Sequence, residues 1–305
     1  MNKILITGVN GFVGKHLAHE LFKNNIVVYG CGLDSSPRES INNIIKNFTP
    51  NCNLTNPKDV ARIPLKEVDA IINLAGLAQV GGSFGESDKY NNINVKVHTI
   101  IAEAIQNIKN PVRIVSVSTG AVYDNHQQMP LNESSNLVKD GSPYALSKIA
   151  MENALRPFIE SGVDIVIVRP FNHIGPGQLP GFLVPDLAKQ IQNDTALVVG
   201  NLNTKRDYTD VRDVVRAYRL LATKPTLKHK VYNVCSGKSV AGNDILKLLL
   251  DAFDKPNTKT VVDKDKIRPN DPADVIGDNS RLTVELGWQP KIPIKQTIVD
   301  FVNAL

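Results

Sequence analysis

Short apolar runs alternate with longer amphipathic stretches through the first half of the chain. The apolar runs predict strands at residues 3–7, 26–32, 68–74, 112–117 and 163–168, and residues 51–55 are predicted to end a further strand. Runs of this kind are typical of buried parallel strands, because helices cover both faces of such strands. Helical patterns follow the first strand to about residue 23 and cover residues 90–107. This alternation predicts an α/β fold with a doubly wound parallel sheet.

The remaining residues predict a smaller lobe that is interleaved with the sheet. A strand at 231–234 is predicted to return to the sheet, and a charged stretch at 201–213 leads into a helix at 211–221. Further elements are predicted as a short strand at 197–200 and helices at 180–193, 240–253, 279–286 and 294–305. Residues 169–178 contain two prolines and two glycines, which predict a rigid, irregular loop at the carboxyl edge of the sheet.

Composition narrows the possible functions. The chain has 305 residues, a formal charge of +5 and a pI near 9.0, but its basic residues are spread out and not interleaved with aromatic ones. This pattern argues against nucleic-acid binding. No apolar run is long enough to span a membrane and no signal-peptide pattern is present, so no membrane partner is expected. Cys31, Cys52 and Cys235 are too scattered for a disulfide framework or a metal site, which indicates a reducing, cytoplasmic location.

A glycine motif indicates dinucleotide binding. Gly8, Gly11 and Gly14 directly follow the first predicted strand and open the first helix. This spacing permits a tight turn, close approach of the backbone to a pyrophosphate and close helix–strand packing. The helix amino terminus presents free N–H groups to the phosphates. The sequence therefore predicts a Rossmann-type domain at 1–170 with returning segments at about 205–236, while 171–204 and 237–305 mainly form a substrate-binding lobe.

The next two strand ends offer further cofactor contacts. Asp34 lies near the end of the second strand, where a carboxylate can bond ribose hydroxyls and disfavour a 2′-phosphate. Arg38 lies nearby and is suited to meet such a phosphate, so the choice between NAD and NADP stays open. Ala75 and Gly76 follow the strand at 68–74, and small residues there let a cofactor lie against the backbone.

Tyr144 and Lys148 are candidates for proton transfer. Their spacing on a predicted helix places them one turn apart on the same face. An ammonium beside a phenol lowers the phenol pKa, which suits proton transfer near neutral pH. Arg206 and Arg268 are candidates to hold a diphosphate, since a guanidinium meets phosphate oxygens bidentately. A surface salt bridge is the alternative for Arg206.

Together these motifs resemble the extended short-chain dehydrogenase/reductase family of sugar-nucleotide epimerases, dehydratases and reductases. The matches are Thr7-Gly8-x-x-Gly11-x-x-Gly14, Asn73-Leu-Ala-Gly76, Asn94-Val95, Ser118-Thr119-x-x-Val122-Tyr123 and Tyr144-x3-Lys148. The resemblance implies that Tyr144 is the catalytic acid/base, that Lys148 lowers its pKa and holds the nicotinamide ribose, and that Thr119 bonds the reacting sugar oxygen. It implies an NAD or NADP site formed by Gly8, Asn10, Gly11, Phe12, Val13, Asp34, Asn53, Leu54, Leu74, Ala75, Gly76, Asn94, Val117, Tyr144, Lys148 and Pro170.

A comparison within the family bears on the chemistry. Its 4,6-dehydratases carry an acidic residue directly after the residue that matches Thr119. Water elimination needs both a base and an acid, and Gly120 and Ala121 can serve as neither. Reduction or epimerisation at a carbonyl remains. Asn53 is a second departure, because the family often has an aspartate beside the adenine.

Residues 169–178 and 199–213 resemble the GDP-4-keto-6-deoxy-D-mannose reductases of this family. The resemblance implies a GDP-linked 4-keto-6-deoxy sugar bound by Thr119, Asn172, Val199, Asn201, Arg206 and Arg268. The expected reaction is reduction of the C4 keto group by NAD(P)H, giving GDP-D-rhamnose or a close relative, with Tyr144 as proton donor. An epimerase with tightly bound NAD is the alternative. A dinucleotide-binding sensor without chemistry is disfavoured, because such proteins usually lose the Tyr or Lys.

Two further expectations concern His173 and assembly. With Tyr144 in place, His173 is expected to have a structural or orienting role rather than to act as an acid or base. Members of the family commonly pair through two helices, which correspond here to about residues 90–107 and 143–160. The resemblance therefore implies a homodimer with a four-helix interface.

Overall fold

The computed structural model describes residues 2–106, 108, 111–193, 196–267 and 271–305. The strands are β1 (Lys3–Thr7), β2 (Val27–Cys31), β3 (Ile45–Thr49), β4 (Ala70–Asn73), β5 (Arg113–Val117), β6 (Ile165–Pro170), β7 (Asn172–Ile174), β8 (Leu197–Val199), β9 (Lys205–Asp210), β10 (Val231–Val234), β11 (Ser239–Ala241), β12 (Thr260–Val262) and β13 (Asp274–Val275). The helices are α1 (Phe12–Lys23), α2 (Glu39–Asn42), α3 (Pro57–Val60), α4 (Ser87–Gln106), α5 (Pro143–Glu160), α6 (Leu183–Gln192), α7 (Val211–Thr223), α8 (Gly242–Ala252), α9 (Ser280–Leu286) and α10 (Ile294–Asn303).

A seven-stranded parallel sheet organises the larger part of the molecule. Its strand order is β10-β6-β5-β4-β1-β2-β3, and every neighbouring pair is parallel. Helices α1 and α7 pack together over one apolar core, and α4 and α5 pack together over a second core that contains other strand residues. The chain order reverses between β1 and β4, where a doubly wound sheet opens a crevice at its carboxyl edge. The predicted α/β fold with a doubly wound parallel sheet is confirmed.

A second group of elements forms a smaller lobe at this edge. Strand β9 pairs in parallel with β7 and β13 and antiparallel with β11, while β8 pairs with β12. Helices α6, α8 and α10 share a third apolar core, in which Leu187, Leu249 and Phe301 are buried. Strand β10 returns to the large sheet beside β6, as predicted. The division of the chain into domains stays a prediction.

Three elements differ from the sequence prediction. Residues 51–55 do not end a strand, because β3 already ends at Thr49 and the following residues form turns. Lys46 and Asn47 are exposed on β3, an edge strand, so its apolar pattern is weak. Residues 169–178, which were predicted as an irregular loop, contain the carboxyl end of β6 and all of β7. The charged stretch at residues 201–213 contains β9. Strands β7 and β9 form by backbone pairing to neighbouring strands, although their own sequences contain no apolar run.

Two general properties bear on the expected setting of the protein. Within the described ranges, no helix is long and apolar enough to cross a membrane. Cys31, Cys52 and Cys235 are all free and buried.

Candidate active site

The glycine motif forms a cradle at the point where the chain order of the sheet reverses. Gly8 has φ of +62°, a conformation that favours glycine. A Cβ on Gly14 would lie 2.5 Å from the Gly8 carbonyl oxygen, so a larger residue would separate α1 from this turn. Gly11 precedes α1, and no side chain caps the helix. The open amino end of α1, with Phe12 and Val13 in its first turn, therefore fits the pyrophosphate of a dinucleotide.

Asn10 connects this cradle to the loop after β2. Its Nδ2 donates to Asp34 Oδ2 at 2.7 Å and to the Ser36 carbonyl at 2.9 Å, and its Oδ1 accepts from the Arg38 backbone N–H at 2.9 Å. Asn10 thereby fixes the Asp34 carboxylate beyond the end of β2, where an adenosine ribose is bound in this type of fold. Arg38 enters the network through its backbone.

Asn53 and Leu54 lie in the turn after β3. Leu54 is buried, whereas Asn53 is exposed. The Asn53 Oδ1 accepts from the Thr55 N–H at 3.1 Å and from the Thr55 hydroxyl at 2.8 Å. The side-chain oxygen is thus hydrogen-bonded within the turn, and the side-chain Nδ2 of Asn53 is the group that could donate to an adenine. The adenine contact stays a prediction.

The loop after β4 meets α4 and α5 at the centre of the crevice. The N–H groups of Leu74 and Ala75 both donate to a threonine hydroxyl of β1, at 3.0 and 3.1 Å. A Cβ on Gly76 would lie 2.8 Å from Asn94 Oδ1 and 3.7 Å from Lys148 Nζ. Asn94 is fully buried. The structure therefore brings these predicted cofactor residues together, with backbone exposed to the crevice at Gly76 because no side chain fits there.

Tyr144 and Lys148 lie on the first two turns of α5. The helix begins here because the Ser142 hydroxyl accepts a first-turn N–H at 3.2 Å and Pro143 fits a position that needs no N–H partner. Both side chains are buried, and Lys148 Nζ donates to the Val117 carbonyl at the end of β5 at 2.8 Å. The helix thus directs both groups toward the strand end that precedes the predicted substrate residue.

Thr119 joins this pair from the strand side. It is buried just after β5, and its hydroxyl accepts the Ala121 N–H at 3.2 Å and hydrogen-bonds Tyr144. Thr119, Tyr144 and Lys148 therefore converge, as their predicted roles require. Pro170, at the end of the neighbouring strand β6, is buried beside them in the sheet.

Burial changes the pKa values of Tyr144 and Lys148. It raises the pKa of Tyr144 above its usual value, although the hydrogen bond with Thr119 opposes the shift. It also lowers the pKa of Lys148 to about 8, although the Glu152 carboxylate opposes that shift. The Lys148 amine is hydrogen-bonded to the Val117 carbonyl, and its expected effect on the phenol pKa stays a prediction. Tyr144 keeps its proton at neutral pH, as a proton donor must.

Gly120 leaves no space for the acidic residue that a dehydratase carries after its threonine. A Cβ on Gly120 would lie 2.9 Å from the Phe171 ring, and a Cβ on Gly277 would lie 2.8 Å from the same ring. Phe171 is buried between the two glycines. Any side chain at position 120 would displace this ring.

The predicted substrate residues lie on the smaller lobe. Asn172 begins β7 and hydrogen-bonds Tyr208 of β9. Val199 is buried at the end of β8, and Asn201 is exposed two residues later. Their contacts to a nucleotide sugar stay predictions.

Arg206 is held by its own lobe. Its Nη2 donates to Asp271 Oδ1 at 2.6 Å and its Nη1 to the Pro272 carbonyl at 2.8 Å. The salt bridge that the sequence offered as an alternative is therefore present, and a diphosphate would have to share this guanidinium with Asp271. Arg268 lies outside the described residues.

His173 links the substrate lobe to the glycine cradle. Its ring stacks on Phe12 with centroids 6.2 Å apart and an interplanar angle of 6°. Nearby, His16 Nε2 and the Pro176 carbonyl oxygen are 2.8 Å apart. Burial lowers the pKa of His173, so the ring is neutral near pH 7. This packing fits the expected orienting role, which stays a prediction.

Sequence reasoning missed a buried polar network beside the site. Glu152, Arg169 and Ser118 form its centre, and each is a chain neighbour or helical neighbour of a predicted site residue. Glu152 follows Lys148 by four residues, so helical periodicity already places a carboxylate on the same face. Among the residues with described positions, no group of three or more His, Cys, Asp or Glu side chains could hold a metal ion.

Comparison with known proteins identifies the family. The family model described as Epimerase, the NAD dependent epimerase/dehydratase family, matches residues 4–235. The chain is 30% identical to a GDP-6-deoxy-D-mannose reductase of Pseudomonas aeruginosa, over 97% of this chain and 94% of that protein. It is also 27% identical to a putative UDP-glucose 4-epimerase of Methanocaldococcus jannaschii, over 98% of this chain and 97% of that protein.

A solved structure agrees with this assignment. The structure of RMD from Pseudomonas aeruginosa complexed with NADPH superposes with a TM-score of 0.83 at 29% identity, covering 100% of this chain and 98% of that chain. A nicotinamide dinucleotide cofactor, NAD or NADP, is thereby confirmed. The chain belongs to the NAD-dependent epimerase/dehydratase family.

Proposed function

We propose that this protein reduces the C4 keto group of a GDP-linked 4-keto-6-deoxy sugar, giving GDP-D-rhamnose or a close relative. The observation that carries the proposal is the convergence of Thr119, Tyr144 and Lys148 beside a position where Phe171 leaves no space for an acid. Proton donation to a carbonyl oxygen is then available, whereas the base and acid of an elimination are not. The similarity to a GDP-6-deoxy-D-mannose reductase supports the same substrate class.

The residues of the chain have distinct tasks in this reaction. The bound reduced nicotinamide supplies the hydride that adds to C4. Tyr144 donates its proton to the oxygen that becomes the C4 hydroxyl. Thr119 holds that oxygen by a hydrogen bond, and such a preorganised donor stabilises developing negative charge. Lys148 provides the positive charge that stabilises Tyr144 as the phenolate forms, and binds the nicotinamide ribose.

The smaller lobe would bind the nucleotide part of the substrate. Arg206 and Arg268 are proposed to hold the diphosphate, with Asp271 keeping the Arg206 guanidinium in place. Val199 and Asn201 are proposed to lie near the nucleobase. Asn172 is proposed to contact the sugar.

NADH is proposed as the preferred donor. The Asn10 amide donates to the Asp34 carboxylate, and a carboxylate that bonds the adenosine ribose in this type of fold would repel a 2′-phosphate. The ratio of kcat/KM for NADH to that for NADPH should exceed one and should fall in Asp34→Asn. A wild-type preference for NADPH that this variant leaves unchanged would contradict the assignment.

The reductase reaction is tested by supplying the 4-keto sugar nucleotide and following the absorbance of the reduced cofactor. Net oxidation, with a GDP-6-deoxyhexose as product, is expected. No oxidation with any 4-keto nucleotide sugar would refute the proposal. The epimerase alternative, favoured by the similarity to 4-epimerases, predicts interconversion of sugars without net cofactor consumption and retention of NAD through purification.

The assembly and setting of the protein are part of the same proposal. Helices α4 and α5 pack against each other on one face of the sheet, and Leu146 is an exposed apolar side chain on α5. We propose that two copies pair through these helices as a homodimer in the cytoplasm, where free buried thiols such as Cys235 are stable. Solution scattering that gives the mass of a monomer would remove the dimer.

A further inference from the structure

A buried ion pair lies beneath the proposed catalytic residues and has no task in the mechanism described so far. Glu152 and Arg169 are each 5% exposed. Arg169 Nε donates to Glu152 Oε1 at 3.0 Å, and Arg169 Nη2 donates to Oε2 at 2.6 Å. The Ser118 hydroxyl donates to Oε1 at 2.6 Å. Both oxygens of the carboxylate are therefore paired, and its position is fixed from two strands.

Uncharged side chains extend this ion pair into a larger hydrogen-bond network. Arg169 Nη1 donates to the Tyr123 hydroxyl at 3.0 Å, and the guanidinium carbon lies 4.9 Å from the centroid of that ring. The Tyr123 hydroxyl donates to Asn233 Oδ1 at 2.6 Å. These bonds connect the carboxyl ends of β5, β6 and β10. Arg169 is thus fixed by partners other than the carboxylate.

Glu152 and its hydrogen-bond donor Ser118 are each adjacent to a site residue. Glu152 follows Lys148 by one helical turn on the same face of α5. Ser118, which donates to Glu152, directly precedes Thr119 in the chain. The carboxylate therefore contacts the strand end that carries one site residue and faces the helical turn that carries another.

Stability alone does not account for this arrangement. A buried ion pair loses so much hydration that apolar residues of the same volume often stabilise a fold equally well or better. Glu152 and Arg169 lie between α5 and the sheet, where apolar side chains such as Leu155 already pack. A charge retained at this depth, one turn from a buried lysine, indicates a role in the site.

The groups that face Lys148 define that role. Tyr144 and Glu152 flank it on α5. The Val117 carbonyl faces it from β5 and His98 faces it from α4. The Arg169 cation of β6 is paired with the Glu152 carboxylate. Burial and the charge of Lys148 hold the pKa of His98 well below its usual value, so His98 is neutral. The Glu152 carboxylate, although paired with Arg169, raises the pKa of Lys148 and so opposes the larger effect of burial.

We propose that Glu152 is a positioning residue of the proposed reductase site, which keeps Lys148 protonated at neutral pH and holds the Thr119 strand end through Ser118. The inference rests on the proposed function for its effect on turnover. Its electrostatic part concerns the protein without substrate and can be measured separately.

The test is the pH dependence of Glu152→Gln. Glutamine keeps the shape of the side chain but removes its charge, so Lys148 should lose its proton more readily. The alkaline limb of kcat/KM should move to lower pH by about one unit, since a neighbouring opposite charge shifts a pKa by about one to three units. The same shift should appear without turnover: the difference in stability between each protein and its Lys148→Met variant should begin to change at a lower pH in Glu152→Gln than in the wild type.

A second variant guards against misfolding. Glu152→Gln leaves Arg169 as an unpaired buried cation, and removing one partner of such a pair is strongly destabilising. The double variant Glu152→Gln/Arg169→Met removes both charges. It should show the same direction of shift, because Glu152 is the charge that acts on Lys148.

The matched control is Asp164→Asn. Asp164 pairs with Arg113 at 2.7 Å at the amino ends of β5 and β6, opposite to the ends that carry the site. Its loss therefore removes an ion pair between the same two strands but leaves the charges near Lys148 unchanged. The control should leave the alkaline limb in place. A folded Glu152 variant whose pH limb and stability curve coincide with those of the wild type would overturn the inference. Absence of turnover in the wild type would refute only the proposed function, since the stability curve still decides the role of Glu152.

Discussion

Replacing Lys148 by methionine should change how the stability of the protein depends on pH. Burial lowers the pKa of Lys148 from 10.5 to about 8. A lysine in the unfolded chain keeps its ordinary pKa, so between these two values the unfolded chain binds more protons than the folded protein. The cost of burying the charge is therefore fully present below pH 8 and is relieved as pH rises toward 10.5. Relief of this cost should contribute about 3 kcal/mol to the stability of the wild type over this interval, from about 1.4 kcal/mol per pKa unit.

Methionine is similar in length to lysine and does not ionise. Lys148→Met also loses the hydrogen bond to the Val117 carbonyl, which shifts the stability of the variant by a constant amount at each pH. The difference between the two stability curves, and not the stability at one pH, therefore reports the buried charge. For a chain of this length the unfolding entropy is about 0.6 kcal/mol/K, so the expected change in that difference is about 5 °C in Tm.

The assay is urea and thermal unfolding at intervals from neutral pH to about pH 10.5. Trp288 is the only tryptophan and is fully buried, so its fluorescence reports unfolding, and circular dichroism tests whether the transition is two-state. Lys247→Met, which removes an exposed lysine from α8, is the control and should follow the wild-type curve. Parallel curves for the wild type and Lys148→Met would refute the reasoning.

Three further predictions concern the site. Tyr144→Phe should lower kcat by about 10²–10⁴-fold, the usual contribution of a general acid, and a fluorescence titration with NAD(P)H separates this loss from any change in cofactor binding. Gly120→Ala should cost about 1–3 kcal/mol in unfolding free energy, because its Cβ overlaps the Phe171 ring, and Phe171→Leu in the same chain should recover part of the loss. Arg206→Met should raise KM for the sugar nucleotide by roughly 10–100-fold, since a hydrogen bond to a charged group contributes about 1.5–3 kcal/mol; an unchanged KM would exclude Arg206 from the diphosphate site.

The large sheet could be predicted from the sequence because its central strands are buried on both faces. Such strands appear as continuous apolar runs, as at residues 68–74 and 112–117, and only their ends differ from the structure by one or two residues. Strand β3 lies at the sheet edge with exposed Lys46 and Asn47, and its pattern is too weak to locate. Strand β9 carries Arg206 and Asp207, and its pairing with β7 and β11 depends on contacts distant in sequence.

The site was predictable where chemistry depends on local spacing. The glycine cradle and the pair of Tyr144 and Lys148 each lie within a few residues on one turn or helix. The direction of the Tyr144 pKa shift was not predictable, because it depends mainly on how deeply the folded chain buries the phenol. The pairing of Glu152 with Arg169 could not be predicted either, since Glu152 lies on α5 and Arg169 lies on β6.

The two pKa shifts bear on the choice between reduction and epimerisation. Because the pKa of Tyr144 is raised and that of Lys148 falls to about 8, Lys148 loses its proton before Tyr144 does as pH rises. The pair therefore stays a phenol beside an ammonium at neutral pH and does not reach the phenolate form unaided. A reductase needs only a proton donor at this position. An epimerase must first take the proton of an alcohol with the same tyrosine, so it starts its cycle from the phenolate, whereas a reductase forms the phenolate only when it donates its proton. The resting pair thus has the form that starts the proposed reduction, and an alkaline limb of kcat/KM near pH 8 is the measurable consequence.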